Sequence, residues 1–112
     1  MRIIEADLDE AQVLALLGLH LAGMHATSPP GNVHALDLSG LRHPSVSFFT
    51  AWDGDVLLGM GALKELDSMT GELKSMRTHP DHLRKGVAAT ILAHLVELGR
   101  RRGYRRLSLE TG

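Results

Sequence analysis

The feature that most constrains the fold is a strand–helix–strand unit in the last third of the chain. Glu72–Thr78 has the composition of a strand and ends just before Pro80. A long helix follows, and Arg105–Glu110 then alternates as a strand does. The apolar stripe of the helix consists of Val87, Ala88, Ile91, Leu92, Leu95 and Leu98. Because a crossover helix joins parallel strands, the unit predicts a parallel pair within a sheet.

The segment before this unit predicts an antiparallel meander. Ser45–Trp52 is rich in strand-forming residues, Asp53-Gly54 is a hairpin signal, and Asp55–Leu63 continues as the next strand. Gly59 and Gly61 interrupt that strand and indicate a bulge or the close approach of another element. A second turn, DSMTG, leads into the last unit. The predicted fold class is α/β: a mixed sheet in which an antiparallel meander is extended by one parallel strand after a crossover helix.

The N-terminal part predicts a strand and a helix that pack onto this sheet. Residues 2–6 read as a short strand, and apolar residues recur at helical spacing from Asp9 to about Met24. Asp7 or Asp9 is a candidate cap for this helix. Two prolines and a glycine at residues 28–31 end it, and a short helix is predicted around Ala35–Leu41.

Composition and spacing exclude several classes of protein. The 112 residues suffice for one domain, and the absence of cysteine excludes disulfides and thiolate chemistry. A net charge of −1 and the lack of a long apolar run argue against a nucleic-acid or membrane partner, so we expect a cytoplasmic protein. The run RRRGYRR at residues 100–106 lies at a helix C-terminus, where basic residues and a glycine are favoured anyway. His79 and His82 straddle Pro80 in a turn, so we expect no metal site.

Gly86 stands near the start of the long helix, where a glycine costs about 1 kcal/mol relative to alanine. A helix N-terminus that follows a strand presents free backbone N–H groups and the positive end of the helix dipole, which suits a phosphate. Gly86 has no Cβ to obstruct a diphosphate, Ala88 is also small, and Arg84 and Lys85 add positive charge. The alternative is a loop glycine beside two solvated basic residues, and spacing alone leaves both open.

The run ELKSMRTHPDHLRKGVAATILAHLVELGRRRGYRRLSLETG, residues 72–112, resembles the core of the GNAT superfamily of acetyl-CoA-dependent N-acetyltransferases. The family motif Gln/Arg-x-x-Gly-x-Gly/Ala falls on Leu83–Ala88, where Leu83 departs from the usual Gln or Arg. The resemblance implies acetyl-CoA as cosubstrate, with the backbone of Met76–Thr78 binding its pantetheine arm like an added strand. The implied cofactor-binding residues are Met76, Arg77, Thr78, Leu83, Arg84, Lys85, Gly86, Val87 and Ala88.

The same resemblance implies a domain that is truncated at its C-terminus, because a complete GNAT domain continues past the strand near Glu110 with another helix and two strands. That part usually carries a tyrosine that acts as general acid toward the leaving thiolate. Tyr104, at a helix–strand junction, is interpreted as structural instead. We therefore expect residues 1–112 to form a single GNAT-like domain.

Two acidic residues are candidate general bases for the acceptor amine. Glu72 and Glu110 lie on the strands that the resemblance places beside the acetyl group, and Glu65 comes next. The alternative is that these are solvated strand-end acids, and Lys74 shares a strand face with Glu72 and can pair with it.

The predicted function is transfer of an acetyl group from acetyl-CoA to a primary amine, whose identity loop composition does not reveal. The alternative is a non-catalytic module that binds CoA or self-associates. Since the strand Arg105–Glu110 is an uncovered edge in such a fragment, we expect a homodimer formed through this C-terminal edge strand.

Overall fold

The computed structural model describes residues 1–25 and 40–109. Its strands are β1 (Arg2–Glu5), β2 (Val46–Asp53), β3 (Val56–Asp67), β4 (Thr70–Thr78) and β5 (Arg106–Leu109), and its helices are α1 (Ala11–His25) and α2 (Val87–Arg101). A single 3₁₀ turn, Pro80–His82, lies between β4 and α2. The predicted elements within these ranges are confirmed, although β3 continues to Asp67 rather than Leu63. The helix break at residues 28–31, most of the short helix around residues 35–41, and Glu110 lie outside the described residues.

The strands form one sheet in the order β1-β2-β3-β4-β5. The first four strands pair antiparallel with their neighbours, whereas β5 pairs parallel with β4. In that parallel pair, Thr70 lies opposite Arg106 and Leu73 lies opposite Leu109. The predicted mixed sheet, an antiparallel meander extended by a parallel strand after a crossover helix, is therefore confirmed.

Helix α2 packs closely on the sheet because two glycines of β3 leave room for it. A Cβ on Gly59 would lie 2.8 Å from Val87 Cγ1, and one on Gly61 would lie 2.7 Å from Ile91 Cγ2. Val87, Ile91 and Leu95 are buried there, each contributing about 2 kcal/mol. The close approach inferred from the two glycines is confirmed.

The stripe predicted for α2 was wrong at two positions. Ala88 and Leu92 face away from the sheet, and Leu92 is 40% exposed. Each follows a buried residue by one position, which turns the side chain about 100° around the helix axis. The seam that contacts the sheet is therefore narrower than the sequence pattern indicated.

Helix α1 covers a second core, which includes alternate residues of β3. Val13, Leu16 and Leu17 pack in a cluster with Met60 and Ala62, whereas Leu63 belongs to the α2 cluster. Because successive strand residues point to opposite faces, the two helices lie on opposite sides of the sheet.

The cap of α1 differs from the prediction. The carboxylate of Glu10 accepts hydrogen bonds from the N–H groups of Gln12 (2.8 Å) and Val13 (3.1 Å), a role predicted for Asp7 or Asp9. The helix begins at Ala11, so Glu10 occupies the capping position immediately before it. Among the described residues, no helix is long and apolar enough to cross a membrane.

Candidate cofactor site

The loop between β4 and α2 contains two residues with left-handed backbone just before the helix begins. Arg84 (φ 64°) and Gly86 (φ 78°, ψ 14°) are both left-handed, and no side chain caps α2 at Gly86. The Thr90 N–H is bonded to Gly86 O at 3.0 Å, whereas the earlier first-turn N–H groups have no intrahelical acceptor. Left-handed turns beside a helix N-terminus form a concavity suited to an anion.

The side chains around this concavity leave it open and make it positive. A Cβ on Gly86 would meet nothing within 4 Å. Arg84 is exposed and makes no ion pair or side-chain hydrogen bond in the part of the chain that the structure describes. Lys85 Nζ lies 3.1 Å from His82 Nδ1. Leu83, at the position where the family motif has a polar residue, is 58% exposed and offers only its backbone.

Strand β4 leads into this loop with one edge unpaired. Within residues 40–109, β5 pairs with β4 only from Thr70 to Leu73. From Ser75 to Thr78 the edge that faces away from β3 has no strand partner among those residues, so its backbone groups are available to an added strand. The predicted pantetheine-binding residues Met76, Arg77 and Thr78 lie on this stretch.

A bulge interrupts β4 where the free edge begins. Lys74 pairs with Ala62 and Arg77 with Met60, so Ser75 and Met76 together oppose the single residue Gly61. Ser75 has φ 54° although it is not a glycine, and the residue is only 3% exposed. The sequence analysis missed this residue, because a left-handed bulge position is usually signalled by glycine or asparagine.

The candidate bases occupy different surroundings. Glu72 is half-buried and lies opposite Lys64 of β3 and Ser108 of β5, in the paired part of β4. Glu65 accepts a hydrogen bond from the Tyr104 hydroxyl at 3.0 Å, next to Gly71 near the start of β4. The structure thus separates Glu65 from the loop that follows β4, and Glu110 lies outside the described residues.

Tyr104 has a structural environment at the C-terminal end of α2. Burial, followed by the hydrogen bond to Glu65, raises the pKa of the Tyr104 hydroxyl above its ordinary value of 10.0. The residue is therefore held in its neutral form at the opposite end of the helix from Gly86.

The histidine pair forms part of the turn after β4. The rings of His79 and His82 are 5.4 Å apart, and His79 Nδ1 accepts the Asp81 N–H at 3.1 Å. They border a groove of about 260 Å³ whose other wall includes Leu16 and Leu19 of α1. Within the described ranges, no group of three or more His, Asp or Glu side chains is placed to hold a metal ion.

Comparison with known families identifies the chain. It belongs to the GNAT acetyltransferases: the model of the Acetyltransferase (GNAT) family matches residues 13–112. Acetyl transfer is therefore its class of activity, as the resemblance implied.

Two curated relatives carry the same family name. The chain is 54% identical over 112 residues to the uncharacterized N-acetyltransferase YsnE of Bacillus subtilis (strain 168), covering 100% of this chain and 74% of that relative. It is 52% identical over 106 residues to the uncharacterized N-acetyltransferase YedL of Escherichia coli (strain K12), covering 95% of this chain and 67% of that relative. Both relatives are longer than this chain.

Solved structures support the fold. A predicted acetyltransferase from Clostridium acetobutylicum, crystallised with acetyl-CoA, superimposes with a TM-score of 0.72 at 15% identity. The match covers 99% of this chain and 80% of that one.

Proposed function

We propose that the chain transfers an acetyl group from acetyl-CoA to a primary amine. The observation that carries the proposal is the uncapped, left-handed start of α2 at Gly86, directly after the unpaired edge of β4. These two features, in this order, suit a diphosphate and an extended pantetheine arm. The acetyl-CoA bound to the Clostridium acetobutylicum acetyltransferase supports the choice of donor.

Each part of acetyl-CoA has its own contacts in this proposal. The backbone N–H groups from Gly86 to Ala88 bind the diphosphate, which the positive end of the α2 dipole also attracts. Arg84 and Lys85 add charge in place of the polar residue missing at Leu83. The pantetheine arm pairs with the backbone of Met76, Arg77 and Thr78.

The reaction requires a neutral amine beside the thioester. The amine nitrogen attacks the carbonyl carbon, the carbonyl oxygen becomes an oxyanion, and collapse of the intermediate breaks the C–S bond and releases the CoA thiolate. The nitrogen loses its proton to a carboxylate or to water, and the thiolate takes a proton from solvent. Glu72 is our first candidate for that carboxylate because it is half-buried in the β4–β5 pair. Glu110 is the second, on the basis of the family resemblance.

We further propose a single cytoplasmic domain over residues 1–112 that dimerises through β5. The support for dimerisation is that β5 pairs on one side only among the described residues, and that Leu109 on it is 63% exposed. A self-associating or CoA-binding module without catalysis is the second candidate, favoured by the same edge. Sedimentation of the chain at increasing concentration tests the dimer, and a monomer at all concentrations would overturn it.

Calorimetric titration with acetyl-CoA tests the cofactor site. We expect the double variant Arg84→Glu/Gly86→Asp to lose at least about 100-fold in affinity, since two negative charges replace a cation and an open approach to the diphosphate. The matched control is Gly103→Asp, which places a carboxylate on the left-handed glycine at the other end of α2. The control should bind acetyl-CoA like the parent.

The outcomes separate the two candidate functions. Binding that only the double variant loses supports the cofactor site and justifies an assay of thiol release with a panel of primary amines. Because the chain contains no cysteine, a thiol reagent reports only the CoA released. Binding without release across the panel would favour the non-catalytic module, and no binding by the parent would overturn the proposed site.

A further inference from the structure

A hydrogen bond between two side chains lies next to the proposed diphosphate site, and the proposed function does not use it. Lys85 Nζ lies 3.1 Å from His82 Nδ1, and Lys85 directly precedes Gly86 in the loop that leads into α2. A charged ammonium group only donates hydrogen bonds, so the imidazole of His82 accepts at Nδ1 and is neutral, with its proton on Nε2. One cation of the loop is therefore held by a group that can itself become charged.

The turn after β4 fixes the position of His82. The His79 N–H donates to Leu58 O of β3 at 2.8 Å, and the His82 N–H donates to His79 O at 2.9 Å, which closes the 3₁₀ turn. His82 is half-buried, whereas Lys85 is exposed on a long flexible side chain. Lys85 is therefore the partner that moves when the hydrogen bond breaks.

The groups around His82 would leave a charge on it unbalanced. The Asp81 carboxylate lies 3.8 Å from His79 Nδ1, so it faces the other imidazole of the turn, whose ring centre is 5.4 Å from that of His82. Arg84 and Lys85 are the cations that follow His82 along the loop. Across the groove, the lining residues of α1 and β3 do not titrate: Gln12, Ala15, Leu16, Leu19, Val56 and Leu57. Within the described ranges, no carboxylate forms an ion pair with His82.

We propose that His82 is a positioning residue that controls Lys85 in the binding of the CoA diphosphate. The inference rests on the proposed function and adds regulation by pH to the same site. While His82 is neutral, its Nδ1 holds the ammonium group, and that hydrogen bond must break before Lys85 can donate to the diphosphate.

Protonation of His82 releases Lys85. The protonated Nδ1 no longer accepts a hydrogen bond, and the two cations repel each other, so that Lys85 turns to the diphosphate. Acetyl-CoA therefore binds more tightly below about pH 6.5, where histidine ordinarily becomes charged, than above it.

Three variants isolate this hydrogen bond. His82→Gln keeps an oxygen that can accept from Lys85 but cannot be protonated in this pH range. Lys85→Gln removes the cation that the inference requires. His79→Asn is the matched control, because it removes the other imidazole and keeps an oxygen that can accept the Asp81 N–H, as His79 Nδ1 does at 3.1 Å.

The measurement is the affinity of the 112-residue chain for dephospho-CoA by calorimetry between about pH 5.5 and pH 8. This probe keeps the diphosphate and the pantetheine arm but lacks the monoester phosphate of CoA, which would itself titrate at about pH 6. We expect the parent and His79→Asn to bind about three- to tenfold more tightly at the acid end, the range of one hydrogen bond. His82→Gln and Lys85→Gln should each change by less than about twofold. Binding by the parent should also take up protons from the buffer, and binding by His82→Gln should not.

The outcomes separate this inference from the proposed function. An affinity of the parent that does not rise in acid, or that rises equally in His82→Gln, would overturn the inference. A rise that persists in Lys85→Gln would also overturn it, because the charge on His82 would then act without Lys85. Loss of the rise in His79→Asn would assign the titration to His79 instead and overturn it as well. No binding of dephospho-CoA or acetyl-CoA by the parent at any pH would overturn the proposed function itself.

Discussion

The two ends of α2 carry the same residue type in the same conformation, and they differ in how their polar groups are satisfied. Gly86 and Gly103 have φ values of 78° and 84°. At the C-terminal end, the Gly103 N–H is bonded to Arg100 O (3.1 Å) and the Tyr104 N–H to Gly99 O (3.0 Å), which together form a Schellman motif. At the N-terminal end, no side chain caps the helix. One terminus is completed by the protein, and the other is open to a ligand.

The side chains at the two ends of α2 also differ in whether they have partners. Beyond the C-terminal end, the Tyr104 hydroxyl donates to Glu65 (3.0 Å) and the Arg102 guanidinium donates to Ser47 Oγ (2.8 Å). Near the N-terminal end, Arg84 has no partner among the described residues. Arg102, at the C-terminal end, is therefore paired within the fold, whereas Arg84, where we place the diphosphate, is unpaired within the described ranges.

The largest expected effect is a loss of stability when the packing of the whole helix α2 on the sheet is disrupted. In Gly61→Val, the new Cβ would lie 2.6 Å from Met76 Sδ and 2.7 Å from Ile91 Cγ2, so that α2 has to move off the sheet. We expect a loss of about 3 kcal/mol in the free energy of unfolding, measured with urea. Gly18→Ala in α1, where a Cβ meets nothing within 4 Å, is the control and should gain about 0.5 to 1 kcal/mol. Equal stability of Gly61→Val and the parent would contradict the close packing.

The second prediction compares the same substitution at the two ends of α2. Gly86→Ala and Gly103→Ala each put a Cβ into open space on a left-handed backbone, so each should cost about 1 kcal/mol of stability. Only Gly86→Ala should also weaken acetyl-CoA binding, by about tenfold, because its Cβ occupies the path of the diphosphate. Urea unfolding and calorimetry measure the two quantities. Equal losses of affinity in both variants would show that the N-terminal end has no special role.

The glycines explain how much of the fold could be predicted. Gly59 and Gly61 are unusual within a strand and indicated the approach of α2, and Gly103 after a basic helix end indicated its C-terminus. The strand, helix and strand patterns in the last third of the chain, together with the hairpin signal at Gly54, predicted the mixed sheet. These signals are local, so the sequence displays them directly.

The features that the sequence did not reveal depend on contacts across long separations or on unsignalled backbone geometry. The Tyr104–Glu65 hydrogen bond joins residues 39 positions apart, and nothing in either local pattern indicates it. Ser75 adopts a conformation usually marked by glycine. Glu10 replaces the expected aspartate caps because the helix begins at Ala11, directly after it. The catalytic assignment of Glu72 remains a prediction.

A smaller effect tests the closed end of the helix. Tyr104→Phe removes the hydrogen bond to Glu65 and should cost about 0.5 kcal/mol, since the pair is largely exposed. The raised pKa of Tyr104 means that near pH 10 the unfolded chain loses the phenolic proton before the folded chain does. The parent should therefore lose stability as the pH rises from the unfolded pKa through the folded one, and the variant should lose less. Urea midpoints between about pH 8 and pH 11 measure this difference.

The affinity of Tyr104→Phe for acetyl-CoA is a second measurement on the same variant. If Tyr104 is structural, Tyr104→Phe should bind acetyl-CoA with the affinity of the parent. A large loss of affinity would contradict the separation of the two ends of α2.

The smallest expected effect concerns the turn that connects β3 to β4 beside the start of β5. The hydrogen bond from the Met69 N–H to the Asp67 carboxylate, at 2.8 Å, lowers the pKa of Asp67 below its ordinary value of 3.8; Thr70 and the Arg106 charge lower it further, and burial opposes them. Between the two pKa values the unfolded chain is protonated at this group and the folded chain is not. The stabilisation is therefore complete above the unfolded pKa and is lost as the pH falls through the folded pKa.

In Asp67→Asn the side-chain oxygen can still accept the Met69 N–H, but the attraction to Arg106 is lost. We expect a slightly lower melting temperature than that of the parent at about pH 7, with the difference disappearing near pH 2. Asp55→Asn, whose carboxylate makes no hydrogen bond with the described residues, removes the same charge as a control and should change less. A difference for Asp67→Asn that persists in acid would mean that the amide fits the turn poorly, and the lost charge would then not explain the effect.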